Sequence, residues 1–346
     1  MPGLIYDRTW AFIGHPLSGR PAVRRRSHGR SHTVPASFRE IALPEGCSVS
    51  TGGNRAIKCG ASTGSASAST ALGICADNWF LSYNSGMSRT IITLLTDFGL
   101  QDEFVGVMKG VIWGIAPDVH IADITHTVPP QNVLHGALVL GRAYRYFPAG
   151  SIHLAVVDPG VGTARRGIAM RVGEHTFVGP DNGLFSVPLS SGAPVEAVSL
   201  DNPAYRLPAV SRSFHGRDVF APAAAYLASG VALKELGEPV TDPVTLEIPR
   251  PLRVANVWSA QVLLVDGFGN LITNLTEADL QGQRVVEVVC LGQVIQGVEV
   301  TFGSRRPAEL LAMFDSSGSL SLCVVNGSAA ERLGAGAGTP VEVRVA

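Results

Sequence analysis

The sequence carries none of the familiar grips for phosphate or catalytic zinc: GxxxxGK[ST], GxGxxG and HExxH are all absent. Cysteine is scarce, five in 346 residues with no CxxC, so neither a disulfide framework nor a zinc site is expected and the compartment reads as reducing. In that setting the sequons at Asn274 and Asn326 are chance matches. No apolar run reaches the ~18 residues of a membrane helix, because Gly, Pro or a charge interrupts each one. An excess of either charge is missing too: 27 Lys and Arg stand against 28 Asp and Glu. A formal net charge of −1 gives no basic field to meet phosphates, which argues against nucleic acid as a partner and leaves a small ligand. What is present is 46% hydrophobic and 16% charged residues, a composition that buries real cores in a chain long enough for two domains.

The near-neutral total hides an asymmetry. Residues 1–86 hold nine Lys/Arg against four Asp/Glu, +5, which leaves −6 for the remainder. This segment contains RPAVRRRSHGRSH, the low-complexity ASTGSASAST and Cys47, Cys59 and Cys75, without a sustained helical or strand period. A disordered leader is expected over 1–86. It reads either as an organelle transit peptide or as an extension upstream of a start at Met87; the lack of a clear amphipathic repeat favours the second, and with it a cytoplasmic protein.

From Met87 onward the texture is regular. Thr90 to Thr96 reads as a buried strand, and Phe104, Val107, Met108, Val111, Ile112 and Ile115 follow at helical spacing until Pro117. VHIADIT, SIHLAVVDPG and HTFVGPDNGLF read as further strands, VLHGALVLGRAYRYF and RDVFAPAAAYLASG as helices. Such alternation predicts a Rossmann-like α/β domain over 87–250, a mostly parallel sheet with helices on both faces. Beyond about Pro251, WSAQVLLVDGFGNLITNL, QRVVEVVCLG, SLSLCVVN and TPVEVRVA are strands with Gly-rich turns, which predicts a small antiparallel β-barrel or sandwich over 251–346.

Three of the strand-like runs end on an acid beside Gly or Pro: LLTDFG at Asp97, AVVDPGVG at Asp158 and FVGPDNG at Asp181. In open α/β sheets ligands lie beyond the carboxyl ends of the strands, so on neighbouring strands these acids converge on one rim. Each alone is equally well an acid ordering its own turn; three together favour a site. Asp97 stands where Rossmann enzymes hold ribose hydroxyls. Arg165 follows Asp158 by seven positions across a Gly-rich turn, and the two either orient a water or form a plain loop salt bridge. His215, in SFHGRD, precedes a helix expected to start around Asp218, where an imidazole can hold or shift a proton or be an incidental capping residue.

The motifs TDFGLQDEFVGVMKG, DITHTVPPQNVLHGA, DPGVGTARR, VGPDNGLF, SFHGRD, DGFGNLITN and NGSAAERL, in that order, resemble the S-adenosylmethionine hydrolases (adenosine-forming), or hydroxide adenosyltransferases, relatives of the fluorinase and chlorinase. The resemblance runs from about residue 90 to the C-terminus. It implies displacement at C5′ of S-adenosyl-L-methionine by water or hydroxide, giving adenosine and L-methionine, with no cofactor and no metal. The matching catalytic positions are Asp158, Arg165 and His215, with Arg166 an adjacent rival to Arg165. Asp97 matches the acid on the ribose hydroxyls and Asp102 one facing the methionine ammonium. Phe268 and Asn270 match residues that touch adenine, and Asn326 lies in the loop that reads the base edge. Read without the family, GFGN is a β-turn with a core Phe. The resemblance further implies a homotrimer with active sites between subunits.

Three other functions compete. The halogenases carry Tyr where this chain has Asp158, a Tyr-Ser or Tyr-Gly pair at His215-Gly216, and an inserted loop for which MRVGEHTFVGPDNG is too short. A carboxylate at the nucleophile also repels a halide. A non-catalytic S-adenosylmethionine or adenosine sensor needs no water-activating set. Methyl transfer needs a glycine-rich loop that TDFGLQDEF does not supply.

Overall fold

The computed structural model describes residues 47–49, 57–59 and 90–346. The chain forms two compact units, 1–80 and 81–346. In the first, β1 (Cys47–Val49) pairs antiparallel with β2 (Ile57–Cys59), where the sequence shows no period. The other expectations for 1–86, a disordered leader and a start at Met87, lie outside the described residues.

The second unit begins with β3 (Ile91–Thr96), α1 (Phe104–Ile115), β4 (His120–Thr125), α2 (Val133–Ala143) and β5 (Ile152–Val156). The strands β6 (Gly167–Val172) and β7 (His175–Pro180), the short α3 (Ser186–Leu189), β8 (Val195–Ser199) and α4 (Ala221–Ala228) complete a six-stranded sheet of order β4-β3-β5-β7-β6-β8. Neighbours from β4 to β7 are parallel, while β6 runs antiparallel to both β7 and β8. Strand alternation sorts the core into two layers. Ile92, Leu94, Leu154 and Val156 pack with Met108 and Ile112 of α1 and the alanines of α4. Leu95, Ala155 and Val157 face the other way, against Ala137 and Leu140 of α2. Helices thus cover both faces, as the alternating pattern predicts.

The rest is antiparallel: β9 (Leu252–Val254), β10 (Val257–Val265), β11 (Leu271–Thr276), the one-turn α5 (Glu277–Leu280), β12 (Val285–Cys290), β13 (Gln293–Gln296), β14 (Leu310–Phe314), β15 (Ser319–Val324), α6 (Ala329–Leu333) and β16 (Pro340–Val345). The order is β13-β12-β16-β10-β11-β15-β14, with β9 on β10. Just past β13, the Glu299 N–H bonds the Ala312 carbonyl of β14 at 2.8 Å, so the sheet nearly closes on itself as a barrel. Sequence reading missed β6, β8, β9, β13 and β14, which are short, lie in turn-rich stretches or show no clean alternation.

Candidate active site

Strand order places the site. Because β4 lies on one side of β3 and β5 on the other, the loops after β3 and β5 diverge at a topological switch point, where α/β sheets open a crevice. Thr96 pairs with Val156, so Asp97 and Asp158 leave adjacent strands within two residues of the same rung.

Asp158, Arg165 and His215 meet at that crevice. Arg165 donates through Nε to Asp158 Oδ1 at 2.9 Å and through Nη2 to Oδ2, a two-pronged pair. The same Nη2 lies 3.1 Å from His215 Nδ1. A guanidinium has only donors, so Nδ1 is the acceptor and His215 carries its proton on Nε2. Burial first, then the positive Arg165, pushes the His215 pKa below the usual imidazole value, against the smaller pull of Asp158 and Asp218. The side chains of Asp158 and Arg165 are 6% and 12% exposed, which limits solvent screening of the pair. The Arg165 guanidinium also stands 5.2 Å from the Phe220 ring centroid.

Local chemistry explains how two distant segments converge. Gly162, at φ +76°, abuts the His215 loop: a Cβ there would lie 2.2 Å from the Arg212 carbonyl oxygen. His215 precedes a π-helical turn, Gly216–Phe220, that runs directly into α4 at Ala221, so the helical run expected from around Asp218 begins two residues earlier. Pro222 has no N–H to offer the Asp218 carbonyl four residues back, and the Leu207 N–H takes that carbonyl instead at 2.9 Å. Fully buried Asp218 also accepts from the Ser211 N–H at 2.8 Å, so this turn anchors the loop that delivers His215.

Arg166 is engaged elsewhere. Its Nε bonds Asp181 Oδ2 at 2.9 Å, and its Nη1 and Nη2 reach the Asp242 carboxylate and carbonyl. Asp181, the third strand-end acid, also accepts from the Val244 N–H at 2.8 Å and is buried. It therefore fastens the 242–244 segment instead of facing a ligand, and the expected convergence of three acids reduces to two.

Asp97 is half-buried, and its Oδ2 accepts the Gln131 main-chain N–H at 2.8 Å. Gln131 holds a left-handed conformation, φ 64°. Asp102, five residues on, is exposed. Between these acids and His215, Phe98, Phe104 and Phe214 pack edge to face with centroids 5.2–5.9 Å apart.

The C-terminal candidates form a second set. Asp266 Oδ1 accepts the N–H groups of Phe268 and Asn270, both at 2.9 Å, and Asn270 Nδ2 donates to Oδ2. The turn pushes Phe268 outward, 82% exposed, rather than into a core as a plain β-turn reading predicts. A Cβ on Gly269 would lie 2.1 Å from Ser328 Oγ, so this turn packs directly on the loop that carries Asn326. Phe268, Asn270 and Asn326 share a cavity of about 650 Å³ with Arg142, Met313, Asp315 and Cys323. Arg142 and Asp315 pair at 2.9 Å, and burial pushes the Cys323 thiol up to about 12, leaving it an unreactive wall. That cavity contains none of Asp97, Asp158, Arg165 and His215. Arg165 and His215 instead line one of about 490 Å³ with Arg206 and Glu238. Sequence reasoning missed Gln131, which acts through its main chain, and Arg142 and Asp315, which meet across 173 positions. Among the described residues no three His, Cys, Asp or Glu side chains are grouped as a metal site, and no helix is long and apolar enough to cross a membrane.

Fold and site together define an α/β protein with a carboxylate–guanidinium–imidazole cluster at its switch point and an antiparallel barrel after it. Residues 92–237 match the profile described as the SAM hydroxide adenosyltransferase N-terminal domain, and residues 260–342 that of the C-terminal domain. The chain belongs to the SAM hydroxide adenosyltransferase family. A Salinispora tropica protein named (R)-S-adenosyl-L-methionine hydrolase is 43% identical over 258 residues, 73% of this chain and 97% of its own. A Thermus thermophilus protein of the same name is 42% identical, covering 73% of this chain and 98% of its own. A fluorinase of Actinoplanes sp. is 28% identical over 60% of this chain and 79% of its own. Among solved structures, an uncharacterized conserved protein from Thermotoga maritima superposes with a TM-score of 0.69 at 36% identity, covering 73% of this chain and 99% of that one.

Proposed function

We propose that this chain hydrolyses S-adenosyl-L-methionine to adenosine and L-methionine by attack of water at C5′. The observation that carries the reading is the contact of Asp158, Arg165 and His215 in one half-buried cluster. A sulfonium departs as a neutral thioether and needs no acid, so the protein must position the substrate, exclude bulk water and accept the proton of the attacking water. Asp158 is the anionic member of the cluster and takes that role. Arg165 fixes the carboxylate and, through Nη2, holds His215 in the tautomer that presents an Nε2–H donor. Water attacks as the C5′–S bond breaks; its oxygen becomes the 5′-hydroxyl and its proton passes to Asp158 and then to solvent.

Asp97 accepts the ribose hydroxyls, Asp102 faces the methionine ammonium, and Phe268, Asn270 and the Asn326 loop hold the adenine. No cofactor or metal takes part. The adenine set lines one cavity of the chain and Arg165 and His215 another, which supports sites completed between subunits; the assembly that follows is a homotrimer whose sites join the 87–250 domain of one subunit to the 251–346 domain of the next. A cytoplasmic location accords with this substrate.

Halide transfer is the nearest competing chemistry, in view of the fluorinase relatives. Asp158 disfavours it, since a carboxylate beside the nucleophile repels an anion. Purified protein incubated with S-adenosyl-L-methionine, with and without excess chloride, is then followed by chromatography. Equimolar adenosine and methionine irrespective of chloride are expected; a 5′-halogenated nucleoside, or tight binding without product, would overturn the proposal.

A further inference from the structure

The motif DITHTVPPQN has no role in the chemistry above, yet its loop lies on the segment that carries Asp97. After β4, four contacts reach back to the end of β3 and the residues that follow it. His126 Nδ1 bonds Thr96 Oγ1 at 2.9 Å, and its carbonyl accepts the Gly99 N–H at 2.8 Å. The Val128 N–H meets the Thr96 carbonyl at 3.4 Å, and the Gln131 N–H meets Asp97 Oδ2 at 2.8 Å. Both His126 and Thr96 are buried, so the inner half of this clamp is shielded from water.

Gln131 is the unusual member. A non-glycine residue at φ 64° is strained, and such strain persists only where the surroundings impose it. Here Pro129 and Pro130 precede it, and Asn132 caps α2 through the His135 N–H at 2.9 Å. The N–H lies in the Pro130–Gln131 peptide plane, and the positive φ carries the chain from that plane into α2, so with α2 held in place any ordinary φ would turn the N–H away from Asp97.

We propose that Gln131 is a positioning residue for ribose recognition. Its left-handed backbone reserves one lone pair of Asp97 Oδ2 and fixes the carboxylate plane, so that Oδ1 and the remaining Oδ2 lone pair are set for a vicinal cis-diol. The proposal rests on the assignment of Asp97 to the ribose. The side chain of Gln131 is dispensable, and the substitutions that matter are those that alter its φ or remove its N–H.

The test compares adenosine with 2′-deoxyadenosine as ligands, by calorimetric Kd, and measures KM and kcat in the same variants. Gln131→Gly keeps the N–H and tolerates positive φ, and is expected to keep the wild-type preference for adenosine and KM within about twofold. Gln131→Pro removes the N–H and forbids positive φ; it is expected to cut the preference at least about fivefold and raise KM with little change in kcat. Gln131→Ile, which keeps the N–H but resists positive φ, is expected to show the same trend and serves where the proline variant does not fold. General loosening of the pocket would weaken both nucleosides equally. An unchanged ratio in folded Gln131→Pro or Gln131→Ile, beside a collapsed ratio in Asp97→Ala, overturns the clamp alone. An unchanged ratio in Asp97→Ala itself removes the ribose assignment and the clamp with it.

Discussion

Arg165 joins Asp158 to His215: one guanidinium holds the carboxylate with two donors and the imidazole Nδ1 with one of the same nitrogens, at 3.1 Å. The cluster is therefore a single unit, and loss of any member disturbs the other two.

Asp158→Ala is expected to leave the Kd for S-adenosyl-L-methionine within about threefold while kcat falls by roughly 100-fold or more, the signature of a group that acts on the nucleophile. Single-turnover kinetics with calorimetric Kd checks it. Wild-type turnover in this variant would remove Asp158 from the mechanism.

Adjacent arginines should separate chemistry from stability. Arg165→Ala loses activity; Arg166→Ala keeps it but leaves the buried Asp181 with the Val244 N–H as its remaining described partner, at a cost of roughly 1–3 kcal/mol in urea unfolding. Equal activity losses in the two variants would contradict the separation.

The pH dependence of kcat has a definite sign. The His215 pKa is depressed by burial and by Arg165, so the neutral form that accepts from Arg165 extends to lower pH than in a free imidazole. Activity should hold at pH 6.5 and fall on a limb below it. A limb centred above pH 7 would contradict the tautomer assigned here.

Stability in acid should be governed by a different histidine. His153 on β5 is fully buried, bonded to Thr93 Oγ1 at 2.8 Å, and burial followed by the nearby His175 lowers its pKa to about 3. The unfolded chain binds this proton below about pH 6.5 and the folded chain does not until about pH 3, so stability is lost as pH falls through that window. Urea unfolding at pH 7 and pH 4.5 should differ by roughly 2–3 kcal/mol from this group, a difference that His153→Gln reduces.

Phe268→Ala should not lower the melting temperature of the single subunit, because the ring is 82% exposed there. It should weaken adenosine binding by roughly tenfold if the ring packs on adenine. Unchanged Kd would remove Phe268 from the base site.

Much of this was legible in the sequence because it is local. Buried strands followed by acids, and helices spaced at three and four, recover β3, α1, β4, α2 and β5 and place Asp97 and Asp158 at strand ends. Asp181 looked equivalent and is not: its partners Arg166 and Val244 sit 15 and 63 positions away, and no strand-end pattern records whether an acid is already paired. The π-type turn after His215 follows from a proline four residues beyond Asp218, a local signal whose outcome depends on Leu207, outside the helix, taking the freed carbonyl. The short antiparallel strands β6, β8, β13 and β14 owe their existence to pairing partners more than to their own residues.

Oxygen-18-labelled water distinguishes attack of water at C5′ from attack at any other atom. Turnover of S-adenosyl-L-methionine in labelled water, with mass spectrometry of the products, should give adenosine carrying one label at its 5′-oxygen and unlabelled methionine. Labelled methanol beside S-adenosylhomocysteine, or adenosine without label, would place the attack at another atom and contradict the account.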